Sequence, residues 1–103
     1  MNDARITRQA VQDVLSERLR QVNEEGFSFE HDDAHTNGQL PAAAASYAIA
    51  ASVDFIGIVR VVWPWTRDWW KPRDPRRNLV KAGALIIAEI ERLDRKAEKE
   101  RAK

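Results

Sequence analysis

At 103 residues the chain has room for one domain and one modest core, and its lack of cysteine excludes a disulfide framework and thiolate metal sites. A net charge of +1, from 17 Lys and Arg against 16 Asp and Glu, indicates no general affinity for nucleic acid. No apolar run of membrane-spanning length is free of charge and MNDARITRQ lacks a signal-peptide pattern, so a protein of a reducing cytoplasm is expected.

Ile6, Ala10, Val14, Leu15, Leu19 and Val22 recur at three- and four-residue intervals, which predicts a helix over about 3–25. Asp3 or Thr7 is placed to cap its start, and Gly26 stops it. Residues 26–37 (GFSFEHDDAHTN) then read as a connection. Thr36 with Gln39 has the spacing of a capping box, and Pro41 offers a competing start, for a second helix over about 39–55. Its AAAASYAIAAS run is a strong helix former whose small side chains let a neighbour approach closely. Residues 53–62 (VDFIGIVRVV) carry strand-like β-branching without clean alternation, and are read as a helical extension that frays before Trp63.

Residues 63–75 (WPWTRDWWKPRDP) hold three prolines, which keep Trp63, Lys71 and Asp74 out of the helical region and make a stiff loop. Asp74-Pro75 is an N-cap followed by a first-turn proline, opening a last helix over about 75–99. That helix has two apolar stripes. One runs through Leu79, Ala82, Gly83, Ile86, Ile90 and Leu93; the other through Val80, Ala84, Ile87 and Glu91. So wide an arc exceeds what one partner helix covers. Either the helix is sandwiched in its own core, or one stripe packs inside and the other against a copy. The expected architecture is all-α: a small three-helix domain with a long Pro/Trp-rich loop at 63–75, assembled as a homo-oligomer.

Three constellations could carry chemistry. Trp63, Trp65, Trp69 and Trp70 are interleaved with Arg67, Lys71, Arg73, Arg76 and Arg77, in a stretch from Arg60 to Arg77 opposed only by Asp68 and Asp74. Indole faces stack on bases and guanidiniums grip phosphate. The plainer account is a core plug with a solvated rim, which suits Trp63 and Trp65 best; adjacent Trp69 and Trp70 cannot easily both face inward. Around Glu30, the residues His31, Asp32, Asp33 and His35 are metal-ligand types, but loop spacing leaves their geometry open and helix-end hydrogen bonds are the plainer use. Glu17, Glu24 and Glu25 with Glu89, Glu91 and Asp94 could hold magnesium for phosphoanhydride hydrolysis. Against that, Glu17 beside Arg20 and Glu91 beside Arg95 read as surface ion pairs. No serine sits in a nucleophile elbow, and the four glycines are too scattered for a phosphate loop.

ERLRQVNEEGF (17–27), EHDDAHTNGQL (30–40), WPWTRDWWKP (63–72) and RRNLVKAGALIIAEIERLDR (76–95) together resemble small proteins of tailed phages and prophages. That resemblance implies a phage accessory protein acting in the host cytoplasm. The last helix, with Glu91 and Asp94, is also similar to the closing helix of MazG-like nucleotide pyrophosphohydrolases. Those enzymes carry a paired Glu-x-x-Glu on a central helix, where this chain has Ala42 to Ala51. The other class the resemblance implies is a compact oligomer that sequesters a cyclic-nucleotide or ADP-ribose-type immunity signal.

The leading expectation is a homo-oligomer that binds a nucleotide-like small molecule, with no catalytic residue, metal or cofactor and no membrane or nucleic-acid partner. Trp69 and Trp70 stack on the bases, with Trp63 and Trp65 beside them. Arg67, Lys71, Arg73, Arg76 and Arg77 neutralise phosphates, and His31, Asp32, Asp33 and His35 bond the ribose or base edges. One alternative is a magnesium-dependent hydrolase using Glu17, Glu91 and Asp94. Another is a protein-partner inhibitor whose Trp loop is the hot spot.

Overall fold

The computed structural model describes residues 3–52, 59 and 61–103. Among the described residues the elements follow in the order α1 (Asp3–Glu24), α2 (Phe29–Ala34), α3 (Gln39–Ser52), a 3₁₀ turn at Arg67–Trp69, and α4 (Pro75–Arg101). Among the described residues there is no strand, as the all-α expectation requires. No helix among them is long and apolar enough to cross a membrane. The expected helical extension at 53–62 falls mostly outside the described residues; Val59, Val61 and Val62 are helical.

Local signals account for most of the helix ends. Gly26, at φ +74°, turns the chain after α1, and the Phe27 N–H returns to the Gln21 carbonyl at 3.0 Å. Thr7 does not cap α1; its hydroxyl lies inside the helix and donates to the Asp3 carbonyl. The connection expected at 26–37 contains α2, because the Ser28 hydroxyl accepts from the His31 N–H and caps a six-residue helix. Thr36 is not the cap of α3 either. Gln39 bonds the Asn37 N–H instead, and Pro41 fits in the first turn, where no N–H is needed. At α4 the Asp74 carboxylate accepts from the Arg77 N–H ahead of Pro75, as the sequence predicts.

The core lies between α3 and α4, the most extensive helix pair. Ala43 and Ala44 of α3 are buried in one cluster with Ala82, Leu85 and Ala88 of α4, so small side chains do set a close approach. Leu40 and Leu85 are essentially fully buried, each contributing about 2 kcal/mol. α1 lies across α4 rather than alongside it. Glu17 reaches Arg77 while the next residue, Arg18, reaches Glu91, about 21 Å further along α4. Gly83 permits the crossing, since a Cβ there would come 3.2 Å from a Val14 methyl.

The wide apolar arc of α4 is divided. Val80, Ala82, Ala84, Leu85 and Ala88 are buried, whereas Leu79, Ile86, Ile90 and Leu93 remain about half exposed. Within a single chain the sandwiched account therefore fails, and Ala82 belongs to the inner side.

Candidate functional site

The tryptophan loop is held to the domain by polar groups near the start of α4. Asn78, only 1 % exposed, accepts from the Arg73 N–H at 2.6 Å and donates to the Arg73 carbonyl at 2.9 Å. The Lys81 ammonium donates to the Lys71 carbonyl at 2.7 Å and sits 5.3 Å from the Tyr47 ring centre. The Lys71 N–H in turn donates to the Tyr47 hydroxyl at 3.3 Å. Burial lowers the Lys81 pKa, opposed by the charge of Glu17, and burial raises that of Tyr47. These bonds fix the positions of Lys71 and Arg73.

Beneath the loop runs a chain of rings. Phe27 stacks on His31 at 4.7 Å, His31 meets His35 at 4.3 Å, and His35 meets Trp65 edge-on at 5.5 Å. Trp65 leads to Trp63 at 5.4 Å, and both Trp63 and Tyr47 pack on Trp70, at 4.9 and 4.7 Å. Trp63, Trp65 and Trp70 are thus half-buried against the core. Trp69 is 50 % exposed. The adjacent pair divides, Trp69 outward and Trp70 inward, where Tyr47 and Trp63 pack on the ring that was expected to stack on a ligand.

Two clefts adjoin across Glu25. One, of about 750 Å³, is lined by Arg20, Lys71, Arg73, Arg76, Arg77 and Lys81, against Glu25 and Asp74. The other, of about 680 Å³, is lined by Phe27, His31, His35, Trp65 and Trp69, with Pro64, Thr66 and Glu25. Both volumes suit small-molecule sites. A gap of about 20 Å³ between them is bordered by Trp69, Glu25, Lys81 and Gln21. Gln21 Oε1 is the buried side-chain oxygen without a hydrogen-bond partner among the described residues. Lys71 lies 6.0 Å from the Trp69 ring centre.

The cations differ in how far they are already neutralised. Arg77 and Arg20 both bond Glu17, Arg20 also bonds Glu25, and Arg76 bonds Asp13. Lys71, Arg73 and Arg67 have no carboxylate partner among the described residues, although Arg67, at the start of the 3₁₀ turn, does not line the cationic cleft.

The acidic candidates are not brought together. Burial opposes ionisation of Glu17, but hydrogen bonds from Arg20 and the charge of Arg77 outweigh it and hold the pKa below its usual value. Glu91 bonds Arg18, not the expected Arg95; Asp94 is exposed. Glu17 and Glu91 accordingly serve different arginines, and a magnesium ion bridging them would have to displace both. Among the described residues no group of three His, Asp or Glu has a metal-holding arrangement. Two of the four candidates in and just after α2 are also spoken for. Asp32 is fully buried on Arg18 and His31, and Asp33 pairs with Arg95 at 2.8 Å, which lowers its pKa. His31 and His35 do line the aromatic cleft, with their Nδ1 atoms engaged by Asp32 and by the His31 carbonyl.

The sequence does not single out Arg20, Lys81 and Phe27 as site residues, and it offers Glu25 only as a magnesium candidate. Lys81 was legible, lying one helical turn after Arg77 on the same face. Phe27 and Glu25 carry no local signal, because only the folding back of the chain after Gly26 brings them under the loop. No family model, curated protein or solved structure matches this chain.

Proposed function

We propose that the protein binds a nucleotide-like small molecule, with a flat ring in the aromatic cleft and its phosphates in the cationic one. The observation that carries this reading is the junction of the two clefts, where half-exposed Trp69 stands beside Lys71. Base stacking on an open indole and phosphate capture by Lys71 and Arg73 supply the two halves of the recognition. Gln21 Oε1 at the seam supports it further, since a buried acceptor without a partner favours a ligand that brings a donor. The ligand is held rather than hydrolysed, because Glu17 and Glu91 are already committed to arginines. Sequestration of a signal nucleotide, as the phage-protein resemblance implies, is the role that follows.

Titration calorimetry against mononucleotides, cyclic dinucleotides and ADP-ribose tests the reading. Binding is expected to be lost or strongly weakened in Trp69→Ala and in Arg73→Ala, and to fall with added salt. Unchanged affinity in both variants, or turnover of the ligand that is lost in Glu91→Gln, overturns it.

A further inference from the structure

The two clefts leave an exposed apolar surface on α1 and α4 without a role. Every residue from Asp3 to Gln12, about 15 Å of helix, is exposed. A helical segment of that length is marginal alone in water. Val11, Leu15 and Leu19 continue this helix as one stripe, each at least half exposed. On α4, Leu79, Ile86, Ile90 and Leu93 form a second stripe, spaced seven, four and three residues apart as in a helix–helix seam. The two helices touch at Val14 and Gly83, so their stripes border one crossing.

We infer that this surface is the interface of a two-fold dimer, in which α1 of each protomer covers the α4 stripe of the other. Its extent points to a stable partner. Seven aliphatic side chains, each about half exposed, approach the ~800 Å² per partner that a stable dimer buries and exceed the patch typical of monomers. Its composition points to a copy, because aliphatic residues without a charge among them match homodimer cores. The charges at its margins are complementary between the two helices. Arg8 precedes Val11 by one turn on α1, and Asp94 follows Ile90 by one turn on α4. Both are exposed, and neither has a partner among the described residues. A two-fold axis exchanging the helices unites them twice. None of the seven side chains lines either cleft.

The test is light scattering on the eluting full-length protein from 1 to 100 µM (chosen on the order of typical specific dimer affinities). The expected mass is twice 11.8 kDa for the native chain. Ile86→Glu is expected to give the single mass with helical circular dichroism retained. Arg8→Glu is expected to weaken the dimer about five-fold, with Asp94→Arg in the same chain restoring it, which guards against misfolding of the Ile86 variant. A native chain that stays at the single mass, a folded Ile86→Glu that stays dimeric, or a charge exchange without rescue overturns the inference. A monomer that covers this face with a different protein does so too.

Discussion

Arg18 on α1 and Lys71 and Arg73 of the tryptophan loop are cations in opposite circumstances. Arg18 is 5 % exposed and divides its fork between Asp32 and Glu91, with the Phe27 carbonyl close by. Nothing in its surroundings is left for a ligand to satisfy. Lys71 and Arg73 have their backbones clamped by Tyr47, Lys81 and Asn78 while their charges lack a carboxylate partner. A buried pair holds structure, because taking either partner away strands a charge in low dielectric. An unpaired, positioned charge at the surface has little effect on stability and much on what binds. Residue type does not separate structural from binding cations here; the presence of a partner does.

The largest effect is expected on the paired side. Asp32→Ala should cost about 3–5 kcal/mol in urea unfolding, by breaking a buried pair and leaving Arg18 with only the part-exposed Glu91 as a carboxylate partner, whereas Arg73→Ala should stay within about 0.5 kcal/mol of the parent. Equal losses would erase the distinction. The tryptophans offer the same contrast one step down. Trp70→Ala removes a ring packed on Tyr47 and Trp63, and is expected to destabilise by about 3 kcal/mol. Trp69→Ala should leave thermal unfolding nearly unchanged and weaken nucleotide binding by about 1–3 kcal/mol in calorimetry. A Trp69 variant that unfolds as readily as the Trp70 variant would make both rings structural.

The smallest effect concerns pH. Glu17 has a folded-state pKa below its ordinary 4.5, so on acidification the unfolded chain takes up the proton first. The stability it contributes is complete above that ordinary value and is lost as pH falls through the folded one. Urea midpoints measured from pH 6 to pH 3 should therefore decline, and Glu17→Gln should remove part of the slope. An unchanged slope would place the acid sensitivity in Asp13 and Asp33, which arginines also hold below their usual values.

Much of the fold was legible because its signals are local. The period of α1, the Asp74-Pro75 start of α4 and the stiffness of the proline-rich loop depend on neighbours within a few residues. The cap of α2 is equally local, but Ser28 lies between Gly26 and Asn37, residue types that read as a link without a helix. The site was legible in part. Lys71, Arg73, Arg76 and Arg77 line one cleft and Trp69 the other, whereas Arg67 lies outside the cationic cleft and Asp32, Asp33 and Trp70 are held in contacts with Arg18, Arg95 and Tyr47.

The sequence by itself determined that the chain is helical, where α1 and α4 run, and that indoles and cations share one rigid loop. Only the tertiary structure decided which indole faces outward, which carboxylates are consumed by arginines, and that Phe27 and Lys81 underlie the loop. The physical reason is range. Backbone preferences and caps act over one or two turns, but a charge is spent or available according to groups such as Arg18 and Glu91, which lie far apart in the chain and meet only when α1 crosses α4.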